Sequence, residues 1–343
     1  MIYDIAIIGA GASGLMAASY LQNKKVCIID CNKNIGAKIK ISGGSKCNIT
    51  NEYLSSSKYL GDEIRIKEVF KKFDNKDLLF FLNENGVFPK IDEKIVKGTY
   101  FCKSSSDVID MFKKLTKKSH FFLEHKVKDV EFKDELFEII TDKKIVLSKK
   151  LIVASGGLSY PNLGATGIGY EIAKKFGHRV NRIDPALVGF TVQKDQFWFK
   201  SLSGLSVDAK IKVGEKELEG KMLFTHKGCS GPVILSASLY WKKGGISVNF
   251  LPTKKSYLPK RFRQKMKEID NQLKNYYFSP AGNFGYSKAE VTKGGIELQE
   301  LDEKFQSRYQ KGLYFIGEVV DVTGELGGYN FQWAFSSGYC VTN

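Results

Sequence analysis

Residues 2–30 constrain this chain more than any other stretch. Ile2-Tyr3-Asp4-Ile5-Ala6-Ile7-Ile8 is short, apolar and rich in β-branched residues, the pattern of a buried strand. It runs into Gly9-Ala10-Gly11-Ala12-Ser13-Gly14, then a helix-favouring run over 15–21. A second apolar strand, Val26-Cys27-Ile28-Ile29, ends on Asp30. Strand, G-x-G-x-x-G, helix, strand and acid, in that order within one βαβ unit, point to a dinucleotide site. Gly9 permits the tight turn, Gly11 lets a pyrophosphate approach the backbone, and Gly14 lets the helix pack against the sheet. The helix N-terminus offers unpaired N–H groups and partial positive charge to phosphates. Asp30, 21 residues after Gly9, can accept from ribose hydroxyls. An acid there disfavours a 2′-phosphate, so NADP is not the ligand of this turn.

A length of 343 residues suggests about two domains. The opening apolar run has no basic flank and is broken by glycines, so it is not read as a signal peptide. No apolar run is long enough to span a bilayer. Cys27, Cys31, Cys47, Cys102, Cys229 and Cys340 form no C-x-x-C and no Cys/His set with zinc spacing. Reduced thiols in a cytoplasmic protein and no metal site are the expectation. The formal charge is +16, from 53 basic and 37 acidic residues. Of the basic residues 47 are Lys and six Arg, with the lysines spread along the chain as pairs. Arg is the residue suited to bidentate phosphate contacts, so the charge reads as solvated surface and nucleic acid is set aside as a partner.

Downstream, Ser42-Gly43-Gly44-Ser45-Lys46-Cys47-Asn48 is too glycine-rich and polar for a regular element. Two readings stand for it, a ligand-binding loop and a surface loop. Residues 61–86 have helical apolar spacing and read as a core-packing helical excursion. Ser104-Ser105-Ser106-Asp107 is an N-cap cluster for a following helix. Residues 119–148 alternate in short runs that suggest an antiparallel meander. Residues 150–154 form a further buried strand ending in Ser155-Gly156-Gly157, with a helix after residues 164–169 and through Phe176. From Pro185 the chain turns to short strands between glycines, including 187–192, 205–213 and 245–250, which suggests a β-rich domain. Within it Phe224-Thr225-His226-Lys227-Gly228-Cys229-Ser230-Gly231-Pro232 reads as a tight turn before a helix, and 257–277 as a basic, solvated helix. Residues 312–318 return to a buried strand. The glycine-rich turn at 324–332 then feeds a terminal helix, again an anion-binding arrangement.

Four segments resemble one family. I-S-G-G-S-K-C-N-I-T-N at 41–51, A-S-G-G-L-S-Y-P-N-L-G-A-T-G-I-G at 154–169, F-T-H-K-G-C-S-G-P at 224–232 and G-E-V-V-D-V-T-G-E-L-G-G-Y-N-F-Q-W-A-F-S-S-G at 317–338 occur in the order found in the BaiN-type flavoproteins, also called the aminoacetone oxidase family. The resemblance implies an α/β fold: a Rossmann-like, glutathione-reductase-like FAD-binding domain over 1–185 and 291–343. A β-rich, barrel-like insert or substrate domain with a short helical segment would interrupt it at 186–290. It also implies which residues meet FAD. Gly9, Ala10, Gly11, Ala12, Ser13 and Gly14 would hold the pyrophosphate, with Asp30 and Cys31 at the adenosine ribose. Lys38, Ser42, Gly43, Gly44, Cys47 and Asn48 would lie along the cofactor. Val127 would meet the adenine, and Ala154, Ser155, Gly156 and Gly157 the adenosine side. Gly317, Glu318 and Asp321 would face the ribityl-phosphate region, and Gly327, Gly328, Tyr329, Asn330 and Phe331 the flavin pyrimidine edge. A helix N-terminus there would stabilise charge on reduced flavin. The chain departs from the family in Asp30 for the usual Glu, in Lys46 for the usual Arg, in a short helical part near 257–280 and in the region 89–102.

The function expected is that of an FAD-dependent oxidoreductase moving a hydride or two electrons between a small organic substrate, or NAD(P)H, and flavin. With no second G-x-G-x-x-G, two expectations stand: reduced nicotinamide docks transiently, or the substrate itself reduces the flavin and oxygen reoxidises it. Cys47 and His226 are the candidate catalytic groups. Two alternatives stand beside this reading, an FAD-dependent enzyme that modifies tRNA or other nucleic acid and a non-catalytic flavin-binding redox module.

Overall fold

The computed structural model describes residues 1–92, 96–253, 258–268 and 273–342. The chain forms two compact units, Met1–Asp184 with Thr292–Asn343, and Pro185–Val291. In the first, β1 (Ile2–Ile8) leads into α1 (Ala12–Tyr20) and β2 (Val26–Ile29). The glycine loop 42–47 precedes β3 (Asn48–Asn51). The helical stretch expected at 61–86 is two helices, α2 (Glu63–Lys72) and α3 (Asn75–Glu84). Asp74 breaks the run, because its carboxylate accepts from Lys76 and Asp77 N–H while Asp77 returns the bond, a capping box that starts a new helix. β4 (Thr99–Phe101) pairs with β3, and Ser104 caps α4 (Ser105–Leu115) as its position in the sequence suggests.

The meander expected at 119–148 is smaller than the sequence suggests. β5 (His120–Phe122) lies parallel to β2 and belongs to the main sheet. The antiparallel part is β6 (Val127–Lys133), β7 (Leu136–Thr141) and the first half of β8 (Ile145–Val153). The segments 145–147 and 150–154 read as separate strands in the sequence but form this one strand. Its first half alternates buried and open positions, whereas Leu151, Ile152 and Val153 are all buried. The change marks where β8 passes from the meander into the parallel sheet. α5 (Ile168–Lys175) follows.

The second unit is a seven-stranded antiparallel sheet. β9 (Phe190–Val192), β10 (Ser206–Val213), β11 (Lys216–Thr225) and β12 (Gly228–Ser230) precede α6 (Pro232–Tyr240). β13 (Ile246–Asn249), α7 (Lys260–Glu268), β14 (Tyr276–Phe278) and β15 (Pro280–Asn283) complete it, in the order β14-β13-β10-β11-β12-β9-β15. The basic helix expected at 257–277 is confirmed over Lys260–Glu268; residues 257 and 269–272 lie outside the described residues, and Tyr276 and Tyr277 belong to β14. The core is aromatic, with Phe199 against Phe224 and Phe250 against Phe262 at ring-centroid distances of 5.0 and 4.9 Å. Each such ring, fully buried, contributes about 2–3 kcal/mol.

The chain then re-enters the first unit as β16 (Leu313–Phe315), which pairs in parallel with the end of β8. The parallel order is β5-β2-β1-β8-β16. This is a Rossmann-type sheet, with the switch between β1 and β8 above the opening glycines. α8 (Tyr329–Cys340) closes the fold against α1. A Cβ at Gly338 would lie 2.6 Å from Ser13 O, so the two helices touch backbone to backbone.

Candidate functional site

The opening turn is built by close packing. A Cβ on Gly14 would sit 2.0 Å from Gly9 O, and one on Gly9 would sit 2.3 Å from Ala154 O. Gly11 is different, because a Cβ there meets nothing within 4 Å. It is the N-cap of α1 and no side chain caps that end. The first N–H groups of α1 therefore have no capping side chain, and the N-cap beside them is open, which is what a pyrophosphate needs.

Asp30 has a second task. Oδ2 accepts from Ala10 N–H at 2.7 Å, and Oδ1 from Asn32 N–H at 2.8 Å and Asn32 Nδ2 at 3.0 Å. The carboxylate thus ties β2 to the glycine turn it faces and uses three of its roughly four acceptor positions. Cys31 Sγ lies 3.4 Å from Gly164 O, and burial, then the Asp30 charge, pushes its thiol above the ordinary range. Val127 is buried opposite Thr141, two residues past His125, whose N–H donates to Asp30 O at 3.0 Å. Ala154 N–H donates to Ile8 O at 2.8 Å, so residues 154–157 cross over Gly9. On the far side, a Cβ on Gly317 would lie 2.4 Å from Ser13 Oγ. Residues 9–14, 30, 154–157 and 317 are therefore neighbours around the N-terminus of α1.

The closing turn is held from a distance. Gly328, in the left-handed region at φ +93°, is the N-cap of α8, again without a capping side chain. A Cβ there would lie 2.4 Å from Thr50 O, so the turn rests on β3. Asn51 Nδ2 donates to Gly327 O and to Lys97 O, each at 3.1 Å, and Thr50 Oγ1 donates to Gln332 Oε1. Tyr59 OH donates to Tyr329 O at 2.8 Å. Asn330 exchanges hydrogen bonds with the Gly324 backbone at 2.9 Å each way, and Phe331 packs half-buried on the core. The facing loop is strained. Gly43, Gly44, Ser45 and Cys47 all have positive φ, and only two of them are glycines. Gly44 is exposed, and a Cβ there meets nothing within 4 Å. Ser42 Oγ donates to Ile39 O at 2.8 Å. Ser45 and Lys46 of this loop are exposed like Gly44, and Cys47 is buried.

Between the two turns runs a polar bridge. Lys38 Nζ lies 2.7 Å from Glu318 Oε2 and donates to Ser159 Oγ at 2.6 Å. Ser159 Oγ donates in turn to Glu318 Oε1 at 3.1 Å, and Thr292 N–H reaches the same oxygen at 2.8 Å. Thr292 Oγ1 accepts from the N–H groups of Leu158 and Ser159 at 2.7 and 3.1 Å. Asp321 accepts from Asn181 Nδ2 at 2.8 Å, and its carboxyl is raised above the usual range chiefly by desolvation.

The two candidate catalytic groups differ in setting. Cys47 is wholly buried, and desolvation pushes its thiol up to about 12. It stays protonated at neutral pH and is no base. His226 is exposed on the turn between β11 and β12, in the second unit. Reading the sequence missed Thr50, Asn51, Ser159, Gln332 and Thr292. All but Thr292 lie inside the quoted motifs, where their polar side chains among glycines were the available signal. Thr292 carries no signal, since only the tertiary fold brings it to residues 157–159. Among the described residues no cluster of metal-ligating side chains occurs, and all six cysteines are free. No helix of the described residues is long and apolar enough to cross a membrane.

The residues present fit FAD. Two helix N-termini in one unit without capping side chains, that of α1 at an N-cap open to a Cβ, suit the pyrophosphate and an electron-rich flavin edge. Comparison with known proteins agrees. The model of the HI0933-like protein Rossmann domain matches residues 3–343. The chain is 34% identical over 388 residues to the ribosomal RNA dihydrouridine synthase of Escherichia coli K12, covering 98% of this chain and 96% of that one. It is 28% identical over 403 residues to the 3-dehydro-bile acid delta(4,6)-reductase of Clostridium scindens, covering 98% and 97%. A solved 3-ketosteroid-delta4-(5alpha)-dehydrogenase from Rhodococcus jostii RHA1 superposes with a TM-score of 0.58 at 10% identity, over 100% of this chain and 97% of that one.

Proposed function

We propose, from the premise that the chain belongs to the HI0933-like family of FAD-dependent oxidoreductases, that it reduces a carbon–carbon double bond conjugated to a carbonyl, and that this bond lies in a uracil base of ribosomal RNA. The two relatives differ in substrate, yet both names denote reduction of such a bond. What carries the choice between them is the relation to the dihydrouridine synthase, higher in identity over the same span. The net charge of +16, which the lysine-rich, dispersed composition alone assigns to solvated surface, has the sign that a polyanionic substrate requires. This takes up the alternative that the sequence reading placed second. A small-molecule enone is the rival.

FAD held by this chain would supply the two-electron, hydride-donating chemistry that the reduction needs. The chain's own residues bind and orient. In this reading residues 9–14 hold the pyrophosphate, and Asp30 and Cys31 face the adenosine ribose. Lys38 and Glu318, fixed by Ser159 and Thr292, position the ribityl chain. Residues 42–44, 47–48 and 327–331 frame the flavin ring, and the N-terminus of α8 steadies negative charge on it. The second hydrogen arrives as a proton. Of the two candidates we retain His226 as donor, since Cys47 is wholly buried. NAD(P)H, docking transiently, is the proposed electron source.

The test is direct. Holoenzyme reduced anaerobically with NADH or NADPH is mixed with unmodified ribosomal RNA transcripts, and digested nucleosides are weighed. The expected result is flavin reoxidation coupled to a uridine heavier by two hydrogen atoms. Reoxidation by a steroid dienone with no change in the RNA overturns the RNA reading and keeps the rival.

A further inference from the structure

The charge of this chain is not evenly placed. Residues 185–291 hold 18 of the 53 basic residues but only 8 of the 37 acidic ones, so +10 of the net +16 belongs to under a third of the chain. Within that unit the charge is sorted again. On the outward face of the β10–β11 hairpin the signs alternate across strands. Lys210 pairs with Glu217 at 2.6 Å and Lys221 with Asp208 at 2.9 Å. That face neutralises itself.

Helix α7 does not. Its sequence is Lys-Arg-Phe-Arg-Gln-Lys-Met-Lys-Glu. Phe262 and Met266, one turn apart, are buried in the aromatic core and fix which side faces out. Lys260, Arg263 and Lys267 are exposed, spaced as neighbours along one ridge of the helix, and none of them forms an ion pair among the described residues. Lys265 pairs with Glu268 at 2.7 Å. Two of the chain's six arginines are in these nine residues. One of them, Arg261, donates to Ser201 O and so binds α7 to the segment Lys194–Leu202. That segment presents Phe197, 46% exposed, with the Lys200 ammonium 3.8 Å from its ring centroid. An exposed aromatic ring beside unpaired cations is a composition that suits nucleic acid, since the ring stacks on a base and the cations meet phosphates.

We propose that the surface made by Lys260, Arg263 and Lys267 of α7 together with Phe197 and Lys200 is a docking platform for the RNA substrate. It rests on the RNA reading above and names where that RNA is gripped. The stacking ring favours RNA over an anionic lipid surface, which offers charge but no bases.

The experiment measures binding of full-length, FAD-loaded protein to unmodified ribosomal RNA transcripts across a salt series. A triple variant, Lys260→Glu, Arg263→Glu and Lys267→Glu, is compared with a control of equal charge change in the other unit, Lys71→Glu, Lys117→Glu and Lys118→Glu. The α7 variant should weaken binding about tenfold or more and flatten the salt dependence by about two to three ions, while keeping its flavin absorbance and melting temperature. Phe197→Ala should weaken binding about fivefold or more with the salt slope unchanged, which separates stacking from charge. The platform is overturned if the α7 variant binds within twofold of the wild type, or if the control loses as much. In either case wild-type RNA binding and uridine reduction survive, so the RNA reading stands. If the wild type binds no RNA at low salt, or binds only phosphatidylglycerol vesicles, both fall.

Discussion

The opening and closing glycine turns of the FAD-binding unit do the same job by opposite means. Each feeds an uncapped helix N-terminus. At the opening turn the contacts that shape the turn itself are near in sequence, Gly14 on Gly9 and Asp30 on Ala10, with Ala154 and Gly317 packed on it from afar. At the closing turn they come from afar: Gly328 rests on Thr50, while Gly327 and Tyr329 are held by Asn51 and Tyr59, all more than 250 positions earlier in the chain. A turn specified by its own residues can be read from a motif. A turn specified by the surface beneath it can be read only as a suspicion that something lies beneath.

The largest expected effect comes from filling the packed positions. Gly14→Ala and Gly328→Ala each drive a methyl into a backbone carbonyl, and the second also demands a left-handed alanine. Each should cost about 3 kcal/mol or more, seen as a fall in chemical-denaturation midpoint in the apoprotein. A tolerated Gly328→Ala would mean that the closing turn moves freely over β3, and the contrast between the turns would dissolve.

Gly11→Ala sharpens the comparison. The same methyl placed three residues before Gly14 meets nothing, and the backbone there is extended. The apoprotein should melt as the wild type does. FAD affinity, measured by titration of the flavin fluorescence, should fall at least about tenfold, because the methyl occupies the cradle proposed for the pyrophosphate. Equal affinity would mean that the pyrophosphate does not cross this turn.

Asn51→Ala tests the distant pins. It removes the shorter of the two donors to Gly327 O, leaving Thr99 Oγ1 at 3.4 Å, and it removes the acceptor for Tyr53 N–H and the donor to Lys97 O. The cost should be about 2 kcal/mol, with weaker FAD retention as the closing turn loosens. If stability drops and flavin retention does not, the closing turn is structural only.

The same distinction between local and distant constraint explains what the sequence disclosed. The βαβ opening, the N-cap at Ser104 and the helix after Pro232 were legible because periodicity and capping chemistry are local. The split at Asp74 was hidden inside an unbroken apolar pattern that two helices share. The fusion of 145–147 with 150–154 was hidden because the burial pattern changes within one strand. In the site, Lys38 and Glu318 were named separately from the family resemblance. That they form one ion pair, and that Thr292 braces it, depends on contacts across 280 and 26 positions that no spacing reveals.

The smallest effect concerns the acids beside the two turns. Asp30 is satisfied by three donors, whereas Asp321 is chiefly desolvated, with Asn181 as its side-chain partner. Its native carboxyl therefore holds a proton more tightly than the same group in the unfolded chain. By linkage, the fold gains stability as pH falls from the raised native value toward the ordinary one near 3.8, and loses it as pH rises through that interval. Asp321→Asn removes the titration while its amide oxygen can still accept from Asn181. The stability of the variant relative to wild type should therefore climb as pH rises from about 4 toward about 7, other groups cancelling in the difference. A flat difference would mean that solvent, Asn181 or the Gly294 backbone offsets the desolvation of Asp321. A falling one would mean that the carboxylate of Asp321, not its acid form, is stabilised in the fold.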